Sequence, residues 1–379
     1  MERVGNRNPL LRTKFVVGSF CYTWTQPFQN GLNILLEGYE NGMSSGDTES
    51  ATFVSNPFHL TNVTVRCYVA LVTHFHSRLQ AIFSYIFESA IAGRPLKLLA
   101  EDCAVYSAQM KELKRQLACD YTMVLWQQAL NLLGFSENTT LLQGDAVENE
   151  EEFLNARLDN KPMLAIIRTQ KLRLYAVFGD HENGANLFIA HGYEWQQAAP
   201  GHPMFMEAIC CGGLSTFAMA RTSKNRKYKK FASKARATIK DWIKKGNPNV
   251  RHYEALFDAE RAALKKKHSD AERYYQAAVT MAARGGFVHD AALASERYAE
   301  FMLNVISDTD GASFHFDNSL KFYSEWGAAK KVQLLREKYG HLRTRPSHVS
   351  AFFGCGGTNS NLTFGDSSHL NRGSSSFVH

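Results

Sequence analysis

Ser269-Asp-Ala-Glu-Arg-Tyr-Tyr-Gln-Ala-Ala278 is the stretch that decides the fold. Turn-forming residues lead straight into Ala271, Tyr275 and Ala278, whose offsets of 4 and 3 mark one face of an α-helix. Alanines at the first and third positions let a second helix approach closely, and the aromatic ring fills the groove between the two. Thr309-Asp-Gly-Ala312 opens in the same way, and Ala312, Phe316 and Ser319 repeat the offsets. Gly179-Asp180, running on to Ala185, is a third copy. Ala185 and Ala271 are 86 residues apart, two periods of 43, and Ala271 and Ala312 are 41 apart. A repeat of this length predicts an all-α solenoid of antiparallel helix pairs, an architecture that commonly binds other proteins.

The same periodicity extends outward. Tyr228, Phe231, Ala235, Ile239 and Trp242 form one apolar face; Tyr253, Leu256, Phe257 and Leu264 form another. Val332, Leu335 and Tyr339 belong to a last helix, with Gly340 as its C-cap. Nearer the start, Leu99, Cys103, Tyr106, Met110, Leu113 and Leu117 read as one continuous stripe, and so do Tyr68, Val72, Phe75, Leu79, Ile82 and Ile86. Gly93-Arg94-Pro95 separates these two helices. Asp120 reads as the N-cap of a helix carrying Tyr121, Leu125, Ala129 and Leu132. The expected division is 1–135 N-terminal helical repeats, 136–152 a polar and acidic surface loop, 153–342 C-terminal helical repeats, and 343–379 a disordered tail rich in Gly and Ser. The acids Glu148 to Glu152 suit the start of the helix that follows.

Bulk properties agree with a folded, non-membrane chain. At 45% hydrophobic and 21% charged residues, wholesale disorder is excluded. The most apolar stretch, Cys67 to Phe87, is interrupted by Arg78, which leaves runs too short for the roughly 20 residues of a membrane span. No secretory signal is visible, and seven scattered cysteines without a CxxC fit reduced thiols. The sequons at Asn62, Asn138 and Asn361 are therefore read as chance matches. A cytoplasmic location is expected, with a nuclear one as alternative.

The formal charge of +7 is local. Residues 221–251 carry twelve Lys/Arg against one acid, Asp241, so this stretch holds +11 and the rest of the chain −4. Arg221, Lys224, Arg226, Lys227, Lys229, Lys230 and Lys234 form a candidate basic patch for an acidic partner, a phosphorylated segment, nucleic acid or anionic lipid. The competing view is a solvated helix face, since the lysines lie off the apolar stripe. Catalytic signatures are missing. There is no GxxxxGK[ST], HRD, DFG or HExxH motif. His74 and His76, two apart on a helix, point roughly 200° from each other and cannot easily share a metal. Cys210-Cys211-Gly212-Gly213 reads as close helix packing within a run from Met204 to Ala220, not as a nucleophile at a turn. No cofactor, metal or catalytic residue is expected.

From Phe15 to Leu342 the chain resembles the tetratricopeptide-like helical region of hybrid serine/threonine–histidine kinases that carry an AAA-type ATPase. The resemblance rests on phrases in order: Trp24-Thr-Gln-Pro27, Leu36-Glu-Gly-Tyr39 with Ser45-Gly-Asp47, Gly93-Arg-Pro95, Phe178-Gly-Asp180, Ala271-Glu-Arg-Tyr-Tyr275 with Ala282-Ala-Arg-Gly-Gly-Phe287, and Tyr323-Ser-Glu-Trp-Gly-Ala-Ala329. The kinase, ATPase, GAF and histidine-kinase parts are not present in this sequence, and the repeat is longer than the 34 residues of the standard tetratricopeptide motif. The resemblance implies a tetratricopeptide-like solenoid and a non-catalytic interaction scaffold in intracellular signal transduction, with protein partners such as kinases. The alternative is a binder of nucleic acid or anionic membrane working through residues 221–251. A cryptic enzyme would instead require a polar pocket holding several titratable groups.

Overall fold

The computed structural model describes residues 17–44, 80–198, 201–223 and 225–343. Among them every regular element is helical, and no strand occurs. The principal helices are α1 (Phe28–Ser44), α2 (Gln80–Ile91), α3 (Leu96–Glu112), α4 (Gln116–Leu133), α5 (Glu150–Asn155), α6 (Lys161–Phe178) and α7 (His181–His191). They continue with α8 (Met204–Thr222), α9 (Arg226–Lys244), α10 (Arg251–Leu264), α11 (His268–Arg284), α12 (Val288–Phe301), α13 (Thr309–Trp326) and α14 (Ala329–Tyr339). Val17–Tyr22 and Met302–Ile306 are π-helical. The described residues up to Leu342 belong to one compact unit; residues 343–379 lie outside the described residues except for Arg343. The stripe from Tyr68 to Ile82, His74, His76, Cys67 and Cys355 also lie outside them, as far as their side chains are concerned.

The repeated alanines do what their size allows. Ala185, Ala271 and Ala312 are fully buried near the starts of α7, α11 and α13. Tyr275 is buried beside Ala271 and Ala278, and its ring stacks on Tyr298 of α12 at 5.3 Å. Asp180 and Asp308 cap α7 and α13 by accepting from the Asn183 and Gly311 amides, so the Gly-Asp and Asp-rich turns are N-cap devices. Connections of two or three residues join α10 to α11, α11 to α12 and α13 to α14, and each of these helices packs on its neighbour.

Three sequence expectations need correction. The stripe from Leu99 to Leu117 is not continuous: α3 ends at Glu112, and Lys114 takes a left-handed φ of 54° before α4 begins. Leu113 is consequently exposed at the break. Asp120 is not an N-cap; it sits a turn inside α4, where its carboxylate accepts from Gln116 Nε2 at 2.8 Å and pairs with Arg157 at 2.8 Å. The 136–152 loop is only partly a surface loop, because Leu142, Ala146 and Val147 are buried. Two amides of α4 hold it: Asn131 donates to the carbonyls of Thr139 and Leu141, and Gln127 accepts from the Ala146 and Val147 N–H groups. Its acids do start a helix, since Glu150, Glu151 and Glu152 form the first turn of α5 with Asn149 as N-cap.

The first helices do not simply extend the row. Trp24 meets Trp242 edge-on at 5.3 Å, and Phe28 meets Phe287 at 6.2 Å. Asn249 donates to the carbonyls of Thr23 and Gln26 at 3.0 and 2.8 Å. The N-terminal segment thus crosses the turns that precede α10 and α12. Gly93, with φ of 86°, lies so close to α12 that a methyl there would sit 2.7 Å from His289 Nδ1. Only glycine meets both demands.

The Cys210-Cys211-Gly212-Gly213 run is buried in the middle of α8, as close packing requires. A methyl on Gly213 would lie 2.5 Å from Phe257 Cζ and 2.9 Å from Ala235 Cβ. Gly213→Ala should therefore destabilise the protein even though alanine is the better helix former by about 1 kcal/mol. Overpacking of a tight core costs about 1–3 kcal/mol, so the urea midpoint is expected to fall. An unchanged or raised midpoint would show that α8, α9 and α10 can separate to admit the methyl.

Candidate functional site

The basic segment divides in two. In α9 the buried arc is Tyr228, Ala232, Ala235, Ile239 and Trp242, with Phe231 half-buried. Lysines and arginines occupy the other side. Arg236 pairs with Asp258, Lys240 lies 3.6 Å from Glu254, and Lys245 pairs with Asp241 at 2.6 Å. Lys234 rests its ammonium 3.4 Å from the centre of the Tyr193 ring. Arg226, Lys227, Lys229 and Lys230, on the first turns of the helix, are exposed and have no ion pair among the described residues. Lys224 lies outside the described residues.

Arg221 belongs elsewhere. It is on the last turn of α8, and its Nη1 lies 3.5 Å from Glu260 and 3.4 Å from the Tyr275 hydroxyl. There it borders a cavity of about 670 Å³ lined by the ends of α6, α7 and α8 and by α12 and α14. Arg297 lies deepest, with its side chain 4% exposed. Its Nε donates to Glu260 at 2.9 Å and its Nη1 to Glu300 at 2.6 Å. Nη1 also faces His181 Nε2 at 3.3 Å, while Nη2 is buried without a partner among the described residues. Beside it, Glu296 accepts from Lys331 at 2.6 Å and from Tyr323 at 2.9 Å, and Glu300 accepts from Tyr339 at 3.4 Å. Burial, reinforced by the Arg297 charge, depresses the His181 pKa to about 3. Burial alone would raise Glu260, but Arg221 and Arg297 outweigh it and bring its pKa down to about 2. Sequence reading missed this cluster because its members span α7 to α14. The one local signal was Glu296-Arg297 and Glu300 within the alanine-rich Ala291–Phe301 run of α12.

A second polar cluster lies inside the core. Asp290 accepts from the Tyr253 hydroxyl at 2.7 Å, contacts His252 Nε2 at 2.9 Å and His289 Nε2 at 3.3 Å, and stands 3.7 Å from Arg173. Arg173 in turn pairs with buried Glu207. Burial raises the Asp290 pKa, yet His289, His252 and Arg173 outweigh it and hold the carboxyl well below the usual carboxylate range. The whole cluster is buried, which makes it a device for joining α6, α8, α10 and α12.

Cys103, Cys119, Cys210 and Cys211 are buried free thiols, and burial pushes Cys211 up to about 12, so none of them is poised as a thiolate nucleophile. No group of His, Cys, Asp and Glu suited to a metal ion occurs among the described residues, and none of their helices is long and apolar enough to cross a membrane. No family model, curated protein or solved structure matches the chain.

Proposed function

We propose that the chain is a non-catalytic protein-interaction scaffold in intracellular signalling, built as a tetratricopeptide-like solenoid of antiparallel helix pairs. In this reading the basic end of α9 receives an acidic segment of a partner protein. The observation that carries it is the cluster at the start of α9: among the described residues Arg226, Lys227, Lys229 and Lys230 have no carboxylate partner, whereas Arg236 and Lys240 further along have one, as does Lys245 just past the helix end, and Lys244 is a lone unpaired cation there. Four neighbouring exposed cations repel one another, and an acidic segment would relieve that repulsion. The short turns after α10, α11 and α13 and the buried alanines support the solenoid. The aromatic residues of α9 lie on its buried side, so it offers no stacking platform for single-stranded nucleic acid.

The test compares the wild-type protein with the variant R226Q/K227Q/K229Q/K230Q, using polyglutamate as probe. The four side chains are exposed, so circular dichroism and the urea midpoint should stay unchanged. Polyglutamate binding should weaken steeply with salt and fall by at least about tenfold in the variant. Equal binding by both proteins would sink the proposal. Binding of RNA or anionic vesicles that is lost in the variant, without polyglutamate binding, would replace it with the alternative reading.

A further inference from the structure

Resting on the reading of the α9 end as a receptor for an acidic segment, we infer that this segment is residues 137–159 of a second copy of the chain, so that copies join head to tail. Residues 137–160 carry seven acids against one cation, Arg157, a net charge of −6. Of these, Glu150 is taken by Lys171, and Arg157 is itself taken by Asp120. Glu137, Asp145, Glu148, Glu151, Glu152 and Asp159 are exposed and have no cationic partner among the described residues. They are the counterpart of Arg226, Lys227, Lys229 and Lys230, which are exposed and equally unpaired. The two sets do not meet within one chain. α9 packs on α8 and α10, the acidic segment is held by α4 and α6, and no ion pair joins the two among the described residues.

The acidic segment is held in place from below. Asn131 donates to the carbonyls of Thr139 and Leu141, Gln127 accepts from the Ala146 and Val147 N–H groups, and both amides are buried on α4. Glu150 ties the two ends together, since it accepts from the Leu142 N–H while pairing with Lys171. The basic side is fixed as well, with Asn225 as the N-cap of α9 and Tyr228 and Ala232 buried beneath the cations. Two surfaces that are already ordered lose little conformational entropy when they meet. Their fields of opposite sign steer one copy toward the next. Leu141 and Leu158, 40% and 56% exposed, lie in the acidic segment. The aliphatic stems of lysine and arginine can cover them while the charged heads reach the carboxylates. The two faces are different patches of the chain, so the contact is heterologous and leaves one basic and one acidic face free at the ends of each assembly.

The experiment is sedimentation velocity of the full chain at about 50 mM and about 500 mM salt, between which the screening length shrinks from about 14 Å to about 4 Å. The wild-type protein should form dimers and longer species at low salt and be monomeric at high salt. R226Q/K227Q/K229Q/K230Q and E148Q/E151Q/E152Q, each with an unchanged circular dichroism spectrum, should both self-associate at least about tenfold more weakly. D145N/E148Q/D159N leaves the first turn of α5 intact and repeats the acidic test if the helix start is disturbed. Mixing the basic-end variant with an acidic variant is decisive. One supplies an intact acidic segment and the other an intact basic end, so the mixture should form a one-to-one heterodimer and nothing longer. The inference is overturned if the wild type is monomeric at low salt, if the acidic variants associate as tightly as the wild type, or if the mixture yields no heterodimer. A monomeric wild type that still binds polyglutamate overturns this inference alone and assigns the α9 end to a different acidic protein. A monomeric wild type that does not bind polyglutamate overturns the acidic-partner reading with it.

Discussion

Asp290→Ala should be the most damaging single substitution in the protein, lowering its stability by about 3–5 kcal/mol, the usual cost of removing one partner from a buried charged cluster. Asp290 is the hub on which Tyr253 and His252 of α10, Arg173 of α6 and its own chain neighbour His289 converge. Alanine leaves the Tyr253 hydroxyl and one His252 nitrogen without a partner in a site water does not reach. It also leaves Arg173 with only Glu207 to balance it. Typical totals are about 5–15 kcal/mol, so such a loss removes a large share of the folding free energy. Asp290→Asn keeps the shape and one acceptor for Tyr253, and should cost clearly less. Urea unfolding of both variants checks the ranking. Similar midpoints for the two would mean that the charge of Asp290, and not its hydrogen bonding, sets its contribution.

The fold was legible wherever one physical requirement leaves a regular trace. Ala271, Tyr275 and Ala278 are spaced as a buried helical face must be, and all three are fully buried. The same logic found the Met204 to Ala220 run and the glycines inside it. It failed at Lys114, because a stripe of apolar residues carries across a break when the next helix happens to continue in phase. Nothing about a lysine announces a left-handed φ. It failed at Asp120 because a cap and a mid-helix ion pair use the same residue type, and the partner, Arg157, is 37 positions away. The candidate site shows the same limit more sharply. Arg221 was grouped with its neighbours in sequence, but α8 ends before α9 begins, and the two helices present their cations to different surroundings. The cavity joins residues from His181 to Lys338, and no local spacing could have revealed it.

Stability should fall as pH is lowered from 7 to 5, steeply and because of histidines. Burial depresses the pKa values of His181, His202 and His289 to about 3, with Arg297 adding to the effect at His181 and Arg173 and His252 opposing Asp290 at His289. Between that value and the ordinary 6.5, the unfolded chain takes up protons that the folded chain refuses. The stability these three groups contribute is thus fully present above pH 6.5 and is lost as pH falls toward 3. Each group changes the unfolding free energy by at most about 1.4 kcal/mol per pH unit, so three together give at most about 4. Glu88 works in the opposite direction. It is fully buried in α2, and burial raises its pKa well above 4.5, with Ser19 opposing. Its contribution is complete below pH 4.5 and declines as pH rises through the folded value. One carboxyl cannot offset three imidazoles between pH 5 and 6.5, so acid wins as the destabilising direction. Glu88→Gln separates the two: it should raise the urea midpoint at pH 7, where an ionisable buried carboxyl is a burden, and leave it nearly unchanged at pH 4, where Glu88 is protonated in both states. If the variant is instead less stable than the wild type at pH 7, Glu88 is held ionised by neighbours, and the acid sensitivity has to be reassigned to the carboxylates of the Asp290 and Glu260 clusters.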